Sequence, residues 1–494
     1  MKLYRLFLFF MPLILSTSII SATTHKNLVR PHTTLTTKIK NIISLQQKNI
    51  KQPAPSSASI KSPIKDWNLI VYMAANNNLH RFALHNFRQM LRIGSTEHIN
   101  VLLQIDEFGE SEVTRFYVEQ NNATIHETIS NTTEAISGTP ESLYGFLRWA
   151  IKSFPAKHHA VLLWNHGSGI KDPSIWGKYY GGNRDKFFYK NPKTGLLQVR
   201  KKSSQLSNDN NQYNNKGIAF NEVHQTYINN QELRLCLEKT CTELLGSKKI
   251  DIIFMDACHM GMIEIASKLK KVSDYLVGSE EIEPGTGYNY TFLLEPFLRK
   301  SLSPSEFAQH AVLAYQAEYI DAFADFTQAA ISLKNFEIME QKFFNFSAKL
   351  LNFISKNHDN FMTIRRIRKS NRDTSEFFDE DYIDLRHFLK SVITMLQNNK
   401  NFVHKDNGSD GDDDDDDFNE LLANNLEEAA VECITEYDRK IIASTTGVNL
   451  PRAGGFAVYF PKKLVHHSYF KTIFSQSTLW SDFISDFVKK NREI

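Results

Sequence analysis

Cysteine is scarce in this sequence: four residues in 494, at positions 236, 241, 258 and 433. That excludes a small disulfide-built scaffold, whose cysteines are many and paired. Cys236 and Cys241 stand five apart in a helix-like stretch, so they point to different faces and make poor bridge partners. A charge excess is also missing. Lysine plus arginine (58) nearly balance aspartate plus glutamate (55), a net charge of +3, which gives no argument for nucleic acid as a partner. The 35 phenylalanines are scattered rather than spaced as a stacking platform, and no internal repeat is visible. After the first residues no apolar run approaches the roughly 20 residues needed to span a bilayer.

The N-terminus is patterned. Lys2 and Arg5 precede an apolar run from Leu6 to Leu15, then small polar residues and Ala22. This is the order of a secretory signal peptide over residues 1–22, cleaved near Ser18 or Ala22. The alternative is a buried N-terminal helix. Residues 23–65 are polar and basic with Pro53-Ala54-Pro55 and Pro63, as in a linker or pro-segment. The expected product is an exported protein, extracellular or periplasmic, without a stable membrane anchor once the signal is removed. A thiol retained in an oxidising compartment asks for a reason, and catalysis is one. The other is that such cysteines are simply small buried hydrophobes.

From Asp66 onward, short runs rich in Val, Ile and Leu predict strands at 67–74, 100–105, 159–164, 250–255 and 275–278. Amphipathic patterns predict helices at 79–93, 141–153, 231–245 and 261–271. This alternation argues for an α/β fold with a mostly parallel sheet flanked by helices on both faces, whose chemistry gathers at the carboxyl ends of the strands. Three segments interrupt it: a polar excursion at 171–215, a charged and weakly patterned stretch at 357–381, and an acidic loop at 405–417 with six consecutive aspartates, Asp412 to Asp417. Order resumes at 440–445, 455–460 and 479–489. The organisation read is a core over 66–335 with the 171–215 insertion, then an elaborated C-terminal extension over 336–494.

Two predicted strands end in reactive residues. Val161-Leu162-Leu163-Trp164 runs into Asn165-His166-Gly167-Ser168-Gly169, whose glycines permit a tight turn and close backbone approach. Ile252-Ile253-Phe254-Met255 runs into Asp256-Ala257-Cys258-His259, with a predicted helix directly after. A cysteine at a helix N-terminus is biased toward thiolate, and a histidine on another strand end could accept and return its proton. His259 adjoins Cys258, and consecutive side chains on an extended segment point to opposite sides, which favours His166 as the partner. The residues alone also suit a core cysteine and a hydrogen-bonded histidine.

At these residues the sequence resembles the clostripain family of cysteine peptidases, in the clan of caspases, gingipains and legumains. The resemblance is spread over ordered blocks: the strand Trp67–Ala74 with Ala75-Asn76-Asn77-Asn78-Leu79, the Trp164–Gly169 segment, Lys216–Phe220, Asp256–Gly261, Gly278–Glu281, Glu283-Pro284-Gly285, Tyr382–Leu385 and Val458–Pro461. It implies a caspase-like sheet, a His166–Cys258 dyad, an oxyanion hole from the backbone N–H groups of Gly167 and Cys258, and Asp256 lining the pocket for the residue before the scissile bond. A structural carboxylate capping nearby amides is the other reading of Asp256. Two positions depart from the family. His259 stands where members carry an apolar residue, and Thr286 stands about where basic-specific relatives place a second acid, although Glu280, Glu281 and Glu283 are near.

The resemblance therefore implies an exported cysteine endopeptidase acting on protein or peptide substrates, with cleavage after basic residues an open expectation. No cofactor is required for that chemistry. Clostripain itself needs calcium, but the 406–417 run fits an EF-hand loop poorly and reads as a flexible anionic loop. Clostripain is also activated by internal cleavage, and the 171–215 excursion carries Lys171, Lys178, Arg184, Lys186, Lys190, Lys193, Arg200, Lys201 and Lys202. Self-cleavage there is expected, giving a monomer or a two-chain form. Two other functions carry the same motifs: a catalytically silent binding or adaptor protein, which would not react with a thiol-directed probe, and a transpeptidase or amidase, which only its products would distinguish.

Overall fold

The computed structural model describes residues 64–171, 188–199, 217–403 and 413–494. The expected signal peptide and nearly all of the linker after it lie outside these residues.

Along the chain the first strands are β1 (Lys65–Ala74), β2 (Ile99–Asp106), β3 (Glu112–Glu119), β4 (Asn122–Ser130) and β5 (Ala156–Trp164). Short hairpins follow, β6 (Phe188–Lys190) with β7 (Leu197–Val199) and β8 (Gly217–Asn221) with β9 (Thr226–Asn229). The remaining strands are β10 (Ile250–Asp256), β11 (Ser273–Gly278), β12 (Thr327–Ser332), β13 (Tyr382–Asp384), β14 (Ile441–Thr446) and β15 (Ala457–Tyr459). Nine of them form one sheet in the order β14-β12-β11-β10-β5-β1-β2-β3-β4. Its centre, from β11 to β2, is parallel. Antiparallel pairs extend both edges.

The apolar runs explain the parallel centre. From Trp67 to Ala74 every residue of β1 is buried, as a strand covered on both faces requires. One face carries the helices Pro140–Ser153, Asn230–Leu244 and Ile263–Leu269, through Phe146, Leu237 and Ile263 among others. The other carries His80–Ile93 and Pro304–Tyr319, through Phe87 and Phe307. Much of 336–494 closes over the first face, with Phe343, Phe388, Phe460 and Trp480 in the same core as β10 and β11.

Several expectations are corrected here. The helix expected at 261–271 spans only Ile263–Leu269. The stretch at 357–381, read as an interruption, contains the helix His358–Lys369, which buries Phe361, Ile364 and Ile367 at helical spacing. The acidic run, read as a loop, lies partly in a helix of 28 residues, Asp413–Lys440. Five of the aspartates, Asp413 to Asp417, fall within that helix. Residues 404–412 lie outside the described chain. The antiparallel strands β3 and β4 had no predicted counterpart.

Candidate active site

Register brings the two reactive segments side by side. β5 and β10 are parallel neighbours, with Trp164 opposite Asp256. The Asn165 N–H donates to the Asp256 carbonyl (3.2 Å), extending the ladder one step. His166 and Cys258 each follow two residues beyond that matched pair. Their loops then close together: a Cβ on Gly167 would fall 2.4 Å from the Cys258 carbonyl oxygen, so only glycine fits.

His166 is buried, and burial holds its imidazole neutral with a pKa lowered to about 3. Its Nε2 lies 2.8 Å from Asn78 Oδ1, in the loop after β1. The backbone around it is fixed by Asn165, whose side-chain oxygen accepts the N–H of Phe220 (2.8 Å) and of His166 (2.6 Å). A bridge from Gly167 to Ile218 of β8 adds to this.

Cys258 is 7% exposed and is packed by Val199, Ile282 and Phe378. Because the following helix starts five residues later, at Ile263, and has only 7 residues, the thiol does not sit on a helix N-terminus. The expected dipole effect, which fades within a turn, does not apply. A different donor is present: the Glu283 N–H points at Cys258 Sγ from 3.2 Å. Such a bond favours the thiolate. His259 takes a left-handed conformation (φ 58°), which costs a non-glycine residue about 1–2 kcal/mol. Its Nδ1 donates to the Glu280 carbonyl (2.8 Å) and its ring edge meets Tyr382.

Asp256 is buried. It accepts the Tyr290 hydroxyl (2.7 Å) and the Tyr288 N–H (3.4 Å), and Gly287 is so close that a Cβ there would overlap the carboxylate. Facing it is Glu283, also held by Gln328 Nε2 (3.2 Å). Desolvation raises both acids, and the charge of Asp256 pushes Glu283 further, so the pair shares a proton. Tyr288, Tyr290, Tyr315 and Tyr319 wall this acid pair. Thr286 does not join it. Its hydroxyl pairs with Tyr319 (2.9 Å) and its carbonyl accepts from Asn86 (2.8 Å). Glu280 is instead paired with Asp384, and the Glu281 carboxylate accepts the Phe378 N–H (2.9 Å).

The excursion after His166 is not wholly an exposed one. Lys171 is buried; burial works against its charge, but Asp379 (2.7 Å) and Asp381 outweigh it and keep it ammonium. The β6–β7 hairpin is docked. Leu197 exchanges hydrogen bonds with Ala322 (2.9 Å) and Ala324 (2.8 Å), and the Val199 N–H donates to Asp325 Oδ2 (2.8 Å). Lys190 and Lys193 are exposed, and the remaining basic residues of the excursion lie outside the described residues. Among the described residues, no group of three or more His, Cys, Asp or Glu side chains could hold a metal ion.

A model of the clostripain family matches residues 71–181 and 203–487. Solved structures of similar fold include an inactive zymogen C11 protease from Parabacteroides distasonis. It is 13% identical, covers 85% of this chain and 99% of its own, and has a TM-score of 0.51. A secreted C11 cysteine protease from Bacteroides thetaiotaomicron, iotapain, is 14% identical, with 84% and 99% covered and a TM-score of 0.51. No curated protein matches the sequence.

Proposed function

The chain belongs to the clostripain family of cysteine peptidases, and from that premise we propose that it cleaves internal peptide bonds through a Cys258–His166 dyad. His166 takes the Sγ proton as sulfur attacks the substrate carbonyl. The resulting oxyanion is received by the N–H groups of Cys258 and Gly167. His166 then returns the proton to the leaving amine, and water, deprotonated by the same imidazole, hydrolyses the thioester. The observation that carries this reading is the matched register of Trp164 and Asp256, with Gly167 in contact with the Cys258 carbonyl.

Specificity for lysine or arginine before the scissile bond fits the Asp256–Glu283 pair, whose shared proton a substrate cation would displace. Self-processing within 171–215 fits the docked β6–β7 hairpin, which sets Val199 on the nucleophile before any substrate arrives. Export is supported by Lys2, Arg5 and the apolar run to Leu15. No described helix is long and apolar enough to cross a membrane. The chemistry as written uses no metal.

The test is hydrolysis of fluorogenic peptides ending in lysine or arginine. Cys258→Ala and His166→Ala should each lower kcat by at least ~10³-fold with an unchanged circular dichroism spectrum. Activity surviving Cys258→Ala would end the reading.

A further inference from the structure

We infer that Phe108, stacked on His80, forms a second substrate subsite, which takes a bulky apolar side chain two or three residues beyond the scissile bond. This rests on the dyad and the acid pair proposed above.

The direction of the bound peptide follows from the order of the strands. Asp256 ends β10, Glu283 follows β11, and Gln328, which holds Glu283, belongs to β12. The acid pair therefore occupies the β10–β12 part of the sheet edge, and His166, after β5, lies on the other side of Cys258. His166 returns its proton to the leaving nitrogen, so that nitrogen faces β5. The chain beyond it continues along the same edge, over β1 and then β2. Met73 of β1 is opposite both Trp164 and Ile105, and Trp164 is opposite Asp256, so these four strands end nearly level. Phe108 stands two residues past the end of β2, as Cys258 and His166 stand two past the ends of β10 and β5. Neighbouring strands are about 4.8 Å apart, which sets the β2 end roughly 10 Å from that of β5. An extended peptide covers that distance in about three residues.

The β2 end presents an aromatic surface. Phe108 is 47% exposed, and its ring stacks on the exposed His80 with centroids 5.0 Å apart and planes at 20°. A single exposed phenylalanine is ordinary; a ring pair fixed at the edge of a catalytic site is not. His80 Nδ1 donates to the Asn77 carbonyl (3.0 Å) at the start of the helix His80–Ile93. The Gly109 N–H donates to Asn76 Oδ1 (3.0 Å), and the Glu110 N–H closes the turn onto the Glu107 carbonyl (3.1 Å). The β8–β9 turn is tied to the same asparagine, its Glu222 N–H donating to the Asn76 carbonyl (2.9 Å), and carries the exposed Val223. Two exposed apolar side chains thus sit on backbone anchored to Asn76. An apolar substrate side chain laid on the Phe108 ring takes both surfaces out of water.

The test uses the full-length protein and internally quenched peptides with lysine before the scissile bond. The second and third positions after the bond carry Phe, Leu, Ser or Asp in turn. In wild type, kcat/KM with Phe or Leu at one of these positions should exceed that with Ser about 5- to 10-fold, the worth of covering half of one aromatic side chain. The ratio is taken within one protein, so a general loss of activity cancels. In Phe108→Ser it should fall close to unity, and Phe108→Tyr should keep it. A wild type indifferent at both positions, a preference for Ser or Asp, or the same apolar preference in Phe108→Ser would overturn the subsite. Failure of the dyad would show separately, as wild type that cannot hydrolyse a lysine aminocoumarin, which has no residue beyond the bond.

Discussion

At the scale of single residues, two buried acids face each other near Cys258: Asp256, which the family resemblance assigned to substrate binding, and Glu283, which the sequence named only as being near. Asp256, two residues before Cys258, was marked by the resemblance and not by its position alone, which equally suits a structural carboxylate. Glu283 sits in a polar Pro-Gly-Thr-Gly loop, where a glutamate ordinarily faces water, and only the closing of that loop under the tyrosine cluster buries it. Thr286, flagged from the family pattern, is occupied with Tyr319 instead. Glu283→Gln should therefore lower kcat/KM for lysine and arginine substrates by about 10- to 100-fold, as loss of one charge-assisted contact would, and change a neutral substrate little. The pH dependence has a definite sign. Both carboxyl pKa values are raised by burial, so the shared proton is kept as pH rises past the ordinary carboxylate range and is released only higher. Turnover of basic substrates by the wild type should accordingly rise with pH through that release, and the rise should flatten in Glu283→Gln. Equal profiles for the two proteins, read with a single fluorogenic lysine peptide, would remove the acid pair from specificity.

At the scale of elements, the parallel centre was readable because its strands are buried on both faces and spell near-continuous apolar runs. The strands β3 and β4 at one edge were not. β4, Asn-Ala-Thr-Ile-His-Glu-Thr-Ile-Ser, is exposed along much of its length, and its pairing with β3 is set by register rather than by composition. The segment after Cys258 was over-read as helix because Gly261 and Met262 are apolar in pattern, yet they are drawn onto the Ser279 carbonyl and β15. The docked hairpin gives the element scale its own prediction. Asp325 holds the Val199 N–H, so Asp325→Ala should loosen β7 and speed both self-cleavage and thiol labelling in freshly made protein, measured by gel bands over time. No change in either rate would detach the hairpin from control of the cleft.

At the scale of the molecule, a cut within 171–215 should not separate the halves. On one side Lys171 is tied to Asp379 and Asp381, and β5 lies inside the sheet between β1 and β10. On the other, β8 bonds Asn77 and Asn165, which belong to the first half. Wild-type protein that has cleaved itself should elute from gel filtration as one particle of full mass and resolve into two fragments only in denaturant, while Cys258→Ala remains one chain in both. Fragments that part under native conditions would contradict the packing described here. The account as a whole depends on one thiol out of four being the reactive one. Cys236, Cys241 and Cys433 are buried, and burial raises their pKa values, which makes them poor nucleophiles. Mass-spectrometric mapping of protein treated with an irreversible, thiol-directed peptide probe ending in lysine tests this most directly. A single adduct on Cys258, lost in His166→Ala, is the predicted result; adducts on another cysteine, or labelling indifferent to His166, would contradict it.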